Sequence, residues 1–373
     1  MSLQEFNTRY QRQLILKDFG MQAQQGLQAA SVLVVGAGGL GCPVLQYLCG
    51  AGVGTIGIID DDLVSLSNLH RQVLYRTGDI GQAKVTVAAA RLQELNPLIN
   101  IKAYRARLSN KNASDIISGY DIVVDGSDNF HTRYLVNDAC VLLGKPLVYG
   151  AITQYQGQVS VFNYQVEEGS NRSLHYRDLF PEPPGKDEVL NCSEAGVLGM
   201  LPGVIGTMMA AEVVKVITGI GKVSANELIT YDMRDHQVYK VLMTPNPGKI
   251  QMPETIAALQ NFIYEEQCLA ADPLEITAEF FTQWMQRNDV IFVDVRNIDE
   301  EPRIKNFSHL NIPLPELTER ADELKQRNIV LFCASGKRSL AAARVLLQWN
   351  DQLKVYSLKG GIHHWLQTQS SVL

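Results

Sequence analysis

Three clusters in this chain have residue types and spacing that can do chemistry. The first is the turn Gly36-Ala37-Gly38-Gly39-Leu40-Gly41, followed further on by Asp60-Asp61-Asp62. Glycines in such a turn let backbone N–H groups close on phosphate oxygens, and an acid at the end of the next strand accepts from ribose hydroxyls. Taken alone, the pair suits a nicotinamide-dependent oxidoreductase. The second cluster is a polar set that a hydride carrier does not need: Asn68, Arg71 and Gln72, then Lys84 in Gly81-Gln82-Ala83-Lys84, then Asp128 in Asp125-Gly126-Ser127-Asp128-Asn129. The Arg71 fork and the Asn68 amide match phosphate oxygens, Lys84 matches a polyphosphate, and Asp128 with Mg²⁺ suits a triphosphate. The third is Phe332-Cys333-Ala334-Ser335-Gly336-Lys337-Arg338-Ser339. Loop N–H groups, a helix N-terminus and Arg338 would surround the Cys333 sulfur and favour a thiolate or a persulfide. Phosphatases of the Cys-x5-Arg type share this form, but their arginine sits one place later, where this chain has Ser339.

These residues need strand ends to hold them. Apolar runs predict strands at Val32–Val35, Thr55–Ile59, Ile99–Tyr104, Asp121–Asp125 and Pro146–Gly150, with helices between them such as Lys84–Leu95 and Asn129–Leu143. That alternation predicts an α/β fold with a Rossmann-like doubly wound sheet, its functional edge at the carboxyl ends of the strands. Gly157–Tyr164 alternates as an antiparallel strand, and Glu227–Met243 reads as one or two more. Glu167–Leu190 is a long polar, proline-rich connection, and Val204–Thr218 is an apolar helix suited to a core or a dimer interface. Residues 1–250 form one expected domain, 251–273 a linker with a helix over Thr255–Asp272, and 274–373 a second, smaller α/β domain. Its strands are Val290–Val295, Asn328–Phe332 and Lys354–Leu358, with a helix over Leu340–Trp349.

The composition narrows the partners. The chain has 373 residues, 46% apolar and 19% charged, with a net charge of −6, which argues against wholesale nucleic-acid binding. No apolar run free of polar breaks approaches the ~18 residues of a membrane span, and Met1–Arg12 lacks a signal-peptide core, so a cytoplasmic protein is expected. The cysteines are scattered with no Cys-x-x-Cys pair, so most are expected as small buried hydrophobes.

Several segments together resemble the MoeB/ThiF enzymes, the ubiquitin-activating-enzyme-like adenylyltransferases. They are Arg9-Tyr10-Gln11-Arg12-Gln13, the glycine turn, Asp60 to Gln72, Gly81–Lys84, Ser127-Asp128-Asn129, and Cys192-Ser193-Glu194-Ala195-Gly196-Val197-Leu198-Gly199. The resemblance implies ATP-dependent adenylation of the C-terminal Gly-Gly of a ubiquitin-like sulfur carrier, of molybdopterin type in preference to thiamine type. It implies Gly36, Gly38, Gly39 and Gly41 at the nucleotide, Asp60 on the ribose, and Asn68, Arg71, Gln72 and Lys84 at the phosphates. Asp128 would hold Mg²⁺ and position the reacting groups. Arg12 would reach the ATP of a neighbouring subunit, which implies a homodimer. Cys192 is the family's candidate acyl-accepting thiol.

Asp294-Val295-Arg296, the Cys333 loop and Leu358–Trp365 resemble the rhodanese sulfurtransferases, with Cys333 as persulfide carrier supplied by a cysteine desulfurase or another sulfur donor. In one respect the chain departs from the adenylyltransferase pattern. Where the family carries two Cys-x-x-Cys pairs for zinc, this chain has His175-Tyr176-Arg177-Asp178 and Lys249-Ile250-Gln251-Met252. No zinc site is therefore expected, and the Glu167–Leu190 connection must be held by other contacts or be mobile. An NAD-dependent oxidoreductase and a non-catalytic carrier-binding scaffold are the competing expectations.

Overall fold

A computed structural model describes residues 3–165, 171–183, 196–245, 250–264, 274–324 and 328–370. The chain divides into two compact units, Met1–Cys268 and Leu269–Leu373.

The first unit opens with two helices, α1 (Leu3–Leu14) and α2 (Gly20–Ala29). Then β-branched apolar runs become strands wherever helices cover both faces. They are β1 (Ser31–Val35), β2 (Thr55–Ile59), β3 (Asn100–Tyr104), β4 (Ile122–Asp125) and β5 (Leu147–Thr153). Helices α3 (Gly41–Ala51), α4 (Lys84–Leu95), α5 (Ala113–Ser118) and α6 (Phe130–Leu143) lie between them. The order is β3-β2-β1-β4-β5, all parallel, extended by antiparallel β6 (Gln156–Phe162), β7 (Glu227–Asp232) and β8 (Gln237–Leu242). The row Tyr104, Ile59, Val35, Asp125, Tyr149 runs straight across β3, β2, β1, β4 and β5. β1 to β4 all end at this row, so four chain segments leave the sheet at one level, which builds the functional edge.

A one-turn helix α7 (Tyr176–Leu179) precedes α8 (Met200–Thr218), which packs on α3, β5 and β6. Leu201, Ile205, Met209 and Val213 of α8 are fully buried against Val148, Val159 and Val161. By length and apolar composition α8 would suffice to cross a membrane. Its polar residues, Glu212 and Lys215 among them, are taken up by an ion pair within the fold.

Only Ile256–Asn261 (α9) of the expected Thr255–Asp272 helix is helical among the described residues. The Asn110 side chain donates to the carbonyls of Gln260 and Phe262, which holds the chain extended there and onto the first unit. Residues 265–273 lie outside the described residues.

The second unit runs β9 (Glu275–Ile276), α10 (Ala278–Trp284), β10 (Val290–Asp294), β11 (Leu310–Asn311), β12 (Asn328–Phe332), α11 (Lys337–Trp349), β13 (Lys354–Leu358) and α12 (Gly361–Ser370). Its parallel sheet has the order β11-β10-β12-β13-β9. One face packs α11 through Ala342, Ala343 and Leu346. The other carries Phe281, whose ring meets Phe292, Phe307, Phe332 and Trp365 edge-on.

Candidate functional sites

The glycine turn bends because Gly36 takes a positive φ of 91°. A Cβ on Gly41 would lie 1.9 Å from the Gly36 carbonyl oxygen, so the turn closes only with hydrogen at that place. Gly36 N–H donates to Ile59 O and Gly126 N–H to Val35 O, which lock the turn to the strands on either side.

Around this turn the fold shapes a cleft of about 340 Å³. Its floor includes Gly36, Gly38 and Gly39; Asp60, Arg71, Gln72 and Lys84 line one side, and Asp128 and Asn129 the other. Asp60 accepts from the N–H groups of Ala37 and Asp62, both at 2.8 Å, and burial pushes its carboxyl above the usual range. Lys84 is buried at the start of α4, and its Nζ lies 2.7 Å from Asp62, whose side chain is exposed. Arg71 is packed over Gly39 and donates to the Ser67 carbonyl at 3.1 Å. Asn129 caps α6 by accepting from Thr132 N–H, and this sets Asp128 at the mouth of the helix. Behind it Asp125 is fully buried and accepts from both Ser127 N–H and Oγ–H; burial raises its carboxyl too.

Three expected nucleotide residues do not line this cleft. Gly41 sits inside the first turn of α3, where its part is closing the loop. Asn68 belongs to the short turn Leu66–Asn68, and its carbonyl accepts from the N–H groups of Arg71 and Gln72. It thus sets the backbone that carries the two lining residues. Arg12 lies exposed on α1, away from the cleft. Conversely, Arg107, Leu108 and Arg133 line the cleft and were not singled out from the sequence. Arg107 and Leu108 follow the end of β3, so the rule that ligands gather at the carboxyl edge would have found them. The three acids Asp60, Asp61 and Asp62 can bring ligand atoms together, but Lys84 already pairs with Asp62 there.

The place expected for the first zinc pair holds an ion pair. The Arg177 guanidinium, 1% exposed, makes two hydrogen bonds to the buried Asp138 at 2.7 and 2.8 Å. Tyr264 O–H donates to the same carboxylate at 2.8 Å, and Arg177 lies over the Tyr134 ring. The one-turn helix α7 and the segment after α9 are tied to α6 through this one carboxylate. Cys192 and Lys249 lie outside the described residues.

In the second unit Cys333 ends β12 with no exposed surface. Gly336 N–H points at its Sγ from 3.2 Å, and Ser339 Oγ lies 3.6 Å from it. The Cys333 and Ala334 carbonyls accept from Ile362 and His363 N–H, which ties the loop to α12. The fork of Arg338, expected around the sulfur, is instead taken by Glu300, with two bonds of 2.6 Å. That pair holds the Glu300 carboxyl down at about 2.

Comparison with known proteins matches each of the two units to a family. A model described as the ThiF family matches residues 10–250, and one described as a rhodanese-like domain matches 277–368. A sulfur carrier protein adenylyltransferase of Thermus thermophilus is 55% identical over 239 residues, covering 64% of this chain and 88% of that one. A probable adenylyltransferase/sulfurtransferase MoeZ of Mycobacterium tuberculosis is 39% identical, covering 96% and 92%. A probable molybdopterin-synthase adenylyltransferase of Porphyra purpurea is 35% identical, covering 98% and 94%. Among solved structures, E. coli MccB bound to MccA-N7isoASN superposes with a TM-score of 0.57 at 23% identity, over 64% of this chain and 73% of that one, a likeness of fold.

Proposed function

The chain belongs to the ThiF family and carries a rhodanese-like domain at its C-terminus, and from that premise we propose that it activates a ubiquitin-like sulfur carrier with ATP and then supplies the sulfur. It is an adenylyltransferase with sulfurtransferase activity. The observation that carries this reading is the joint occurrence, in one chain, of the glycine-turn cleft with its cations and the buried Cys333 nest.

In the first reaction the carrier's C-terminal carboxylate attacks the α-phosphorus of ATP. A P–O bond forms, the α–β P–O bond breaks, and pyrophosphate leaves. The protein contributes positioning and charge neutralisation. N–H groups of the glycine turn, Arg71 and Lys84 face the phosphates, and Asp60 takes the ribose. Lys84 exchanges its Asp62 partner for phosphate oxygens. Asp128, a carboxylate on the opposite wall, fits a Mg²⁺ shared with the phosphates, which would neutralise charge there. Arg12 completes the cleft of a second copy in a homodimer; exposed Ile15 and Leu16 beside it support an apolar interface. Among the described residues the Arg177–Asp138 pair stands where the first zinc pair was expected, which supports a reading without zinc.

In the second reaction the Cys333 sulfur attacks the terminal sulfur of a donor persulfide, as a cysteine desulfurase would present. The donor thiol leaves and Cys333 carries the persulfide. Its outer sulfur attacks the acyl-adenylate carbonyl, AMP leaves and an acyl disulfide forms on Cys333. A cellular thiol then attacks the Cys333 sulfur, the S–S bond breaks, the thiocarboxylate leaves, and the mixed disulfide left on Cys333 is reduced by a second cellular thiol. Cys192 is the candidate acyl-accepting thiol. A carrier of molybdopterin type is favoured, in line with the Porphyra purpurea relative, and a thiamine-type carrier is second. We assign the chemistry to the cytoplasm, where ATP and reduced thiols coexist.

ATP–pyrophosphate exchange tests the first half. The wild type should exchange only when a Gly-Gly carrier is present, and Asp128→Ala should lower the rate about 100-fold or more. No exchange with any such carrier would contradict the reading.

A further inference from the structure

We infer that Arg107 grips the base of the nucleotide, a contact that rests on the proposed binding of ATP in the cleft. The direction of the ligand follows from the strand order β3-β2-β1-β4. Phosphate donors follow β1 and the ribose acid Asp60 follows β2, so the base must extend past β2 toward the end of β3. There the chain is built to present a side chain. Ala106 N–H donates to Tyr104 O at 2.9 Å. The Asn112 side chain accepts from Ser109 N–H at 2.8 Å and donates to the Arg107 carbonyl at 3.0 Å. The backbone on both sides of Arg107 is thereby fixed, while its guanidinium stays exposed at the border of the cleft. None of the described carboxylates pairs with it. Leu108, buried beside it, supplies an apolar wall.

An arginine without a carboxylate partner among the described residues, next to an apolar lining residue, suits a flat aromatic ligand. The guanidinium plane stacks on a purine face, which the ammonium of lysine cannot do. Arg107 therefore selects for the base and leaves the reacting phosphates to others.

The test uses the full chain with a Gly-Gly carrier. Arg107→Ala should raise the KM for ATP about fivefold and leave kcat unchanged. Arg107→Lys should recover only part of the loss, because the stacking plane is gone though the charge stays. Adenosine, which has no phosphate, should bind Arg107→Ala about fivefold more weakly by calorimetry, while competition by pyrophosphate stays as in the wild type. An unchanged KM, full rescue by lysine, or weakened pyrophosphate with unchanged adenosine would overturn the inference. Adenosine binding needs no turnover, so it reads Arg107 even where exchange fails. Absence of carrier-dependent exchange in the wild type would instead sink the proposed reaction.

Discussion

At the scale of single residues, the Asp138 carboxylate ties three chain segments together. It accepts from Arg177 and Tyr264 with almost no exposure to water, so each partner depends on the others. Breaking a buried pair strands a charge; swapping both members for apolar groups does not. Arg177→Met should therefore cost about 3–5 kcal/mol, read as a lower denaturant midpoint. Arg177→Met with Asp138→Leu should recover most of it. If the double variant is no more stable than the single one, the pair is not what holds the connection. The sequence showed that the two Cys-x-x-Cys pairs are absent but not that Arg177 would pair with Asp138. Asp138, Arg177 and Tyr264 lie on separate segments, and only the fold brings them together. The nucleotide residues were more legible, because Asp60 and Asp128 follow ends of apolar runs, Arg71 sits in the polar segment after Asp60, and Lys84 opens a helix. Asn68 and Gly41 were legible as to place but not role, since their backbone and their lack of a side chain matter more than a polar group. The pairing of Arg338 with Glu300 has the same origin as the Asp138 cluster, a contact across sequence distance.

At the scale of elements, the strands of the parallel sheet were legible within a few residues because β-branched runs buried on two faces have few alternative uses. The two-residue strands β9 and β11 are too short to leave a periodic signal. Helix α8 was legible as apolar, but its part in the site was not. Gly206 of α8 rests against α3 and the glycine turn: a Cβ there would lie 2.6 Å from the Leu40 carbonyl and 2.4 Å from Pro43. Backbone cannot give way as a side chain tip can. Gly206→Ala should then destabilise by about 1–3 kcal/mol and also raise the KM for ATP, because Leu40 belongs to the phosphate turn. Loss of stability with an unchanged KM would show that α8 supports the core alone.

At the scale of the whole molecule, the two units carry two halves of one reaction sequence. The first activates a carboxylate and the second holds a sulfur nest, and covalent linkage raises the effective concentration of one for the other. This organisation was legible because the two motif sets are far apart and different in kind: a glycine turn with distributed cations, and a single cysteine at a strand end. The central claim is that both halves act on the same carrier terminus. The most direct measurement is mass spectrometry of an intact Gly-Gly carrier after incubation with the full chain, ATP and a persulfide donor. The account predicts a mass gain of one sulfur-for-oxygen exchange at the C-terminus, lost in Cys333→Ser. A carrier that is adenylated but gains no sulfur with the wild type, or one that gains it equally with Cys333→Ser, would contradict the account.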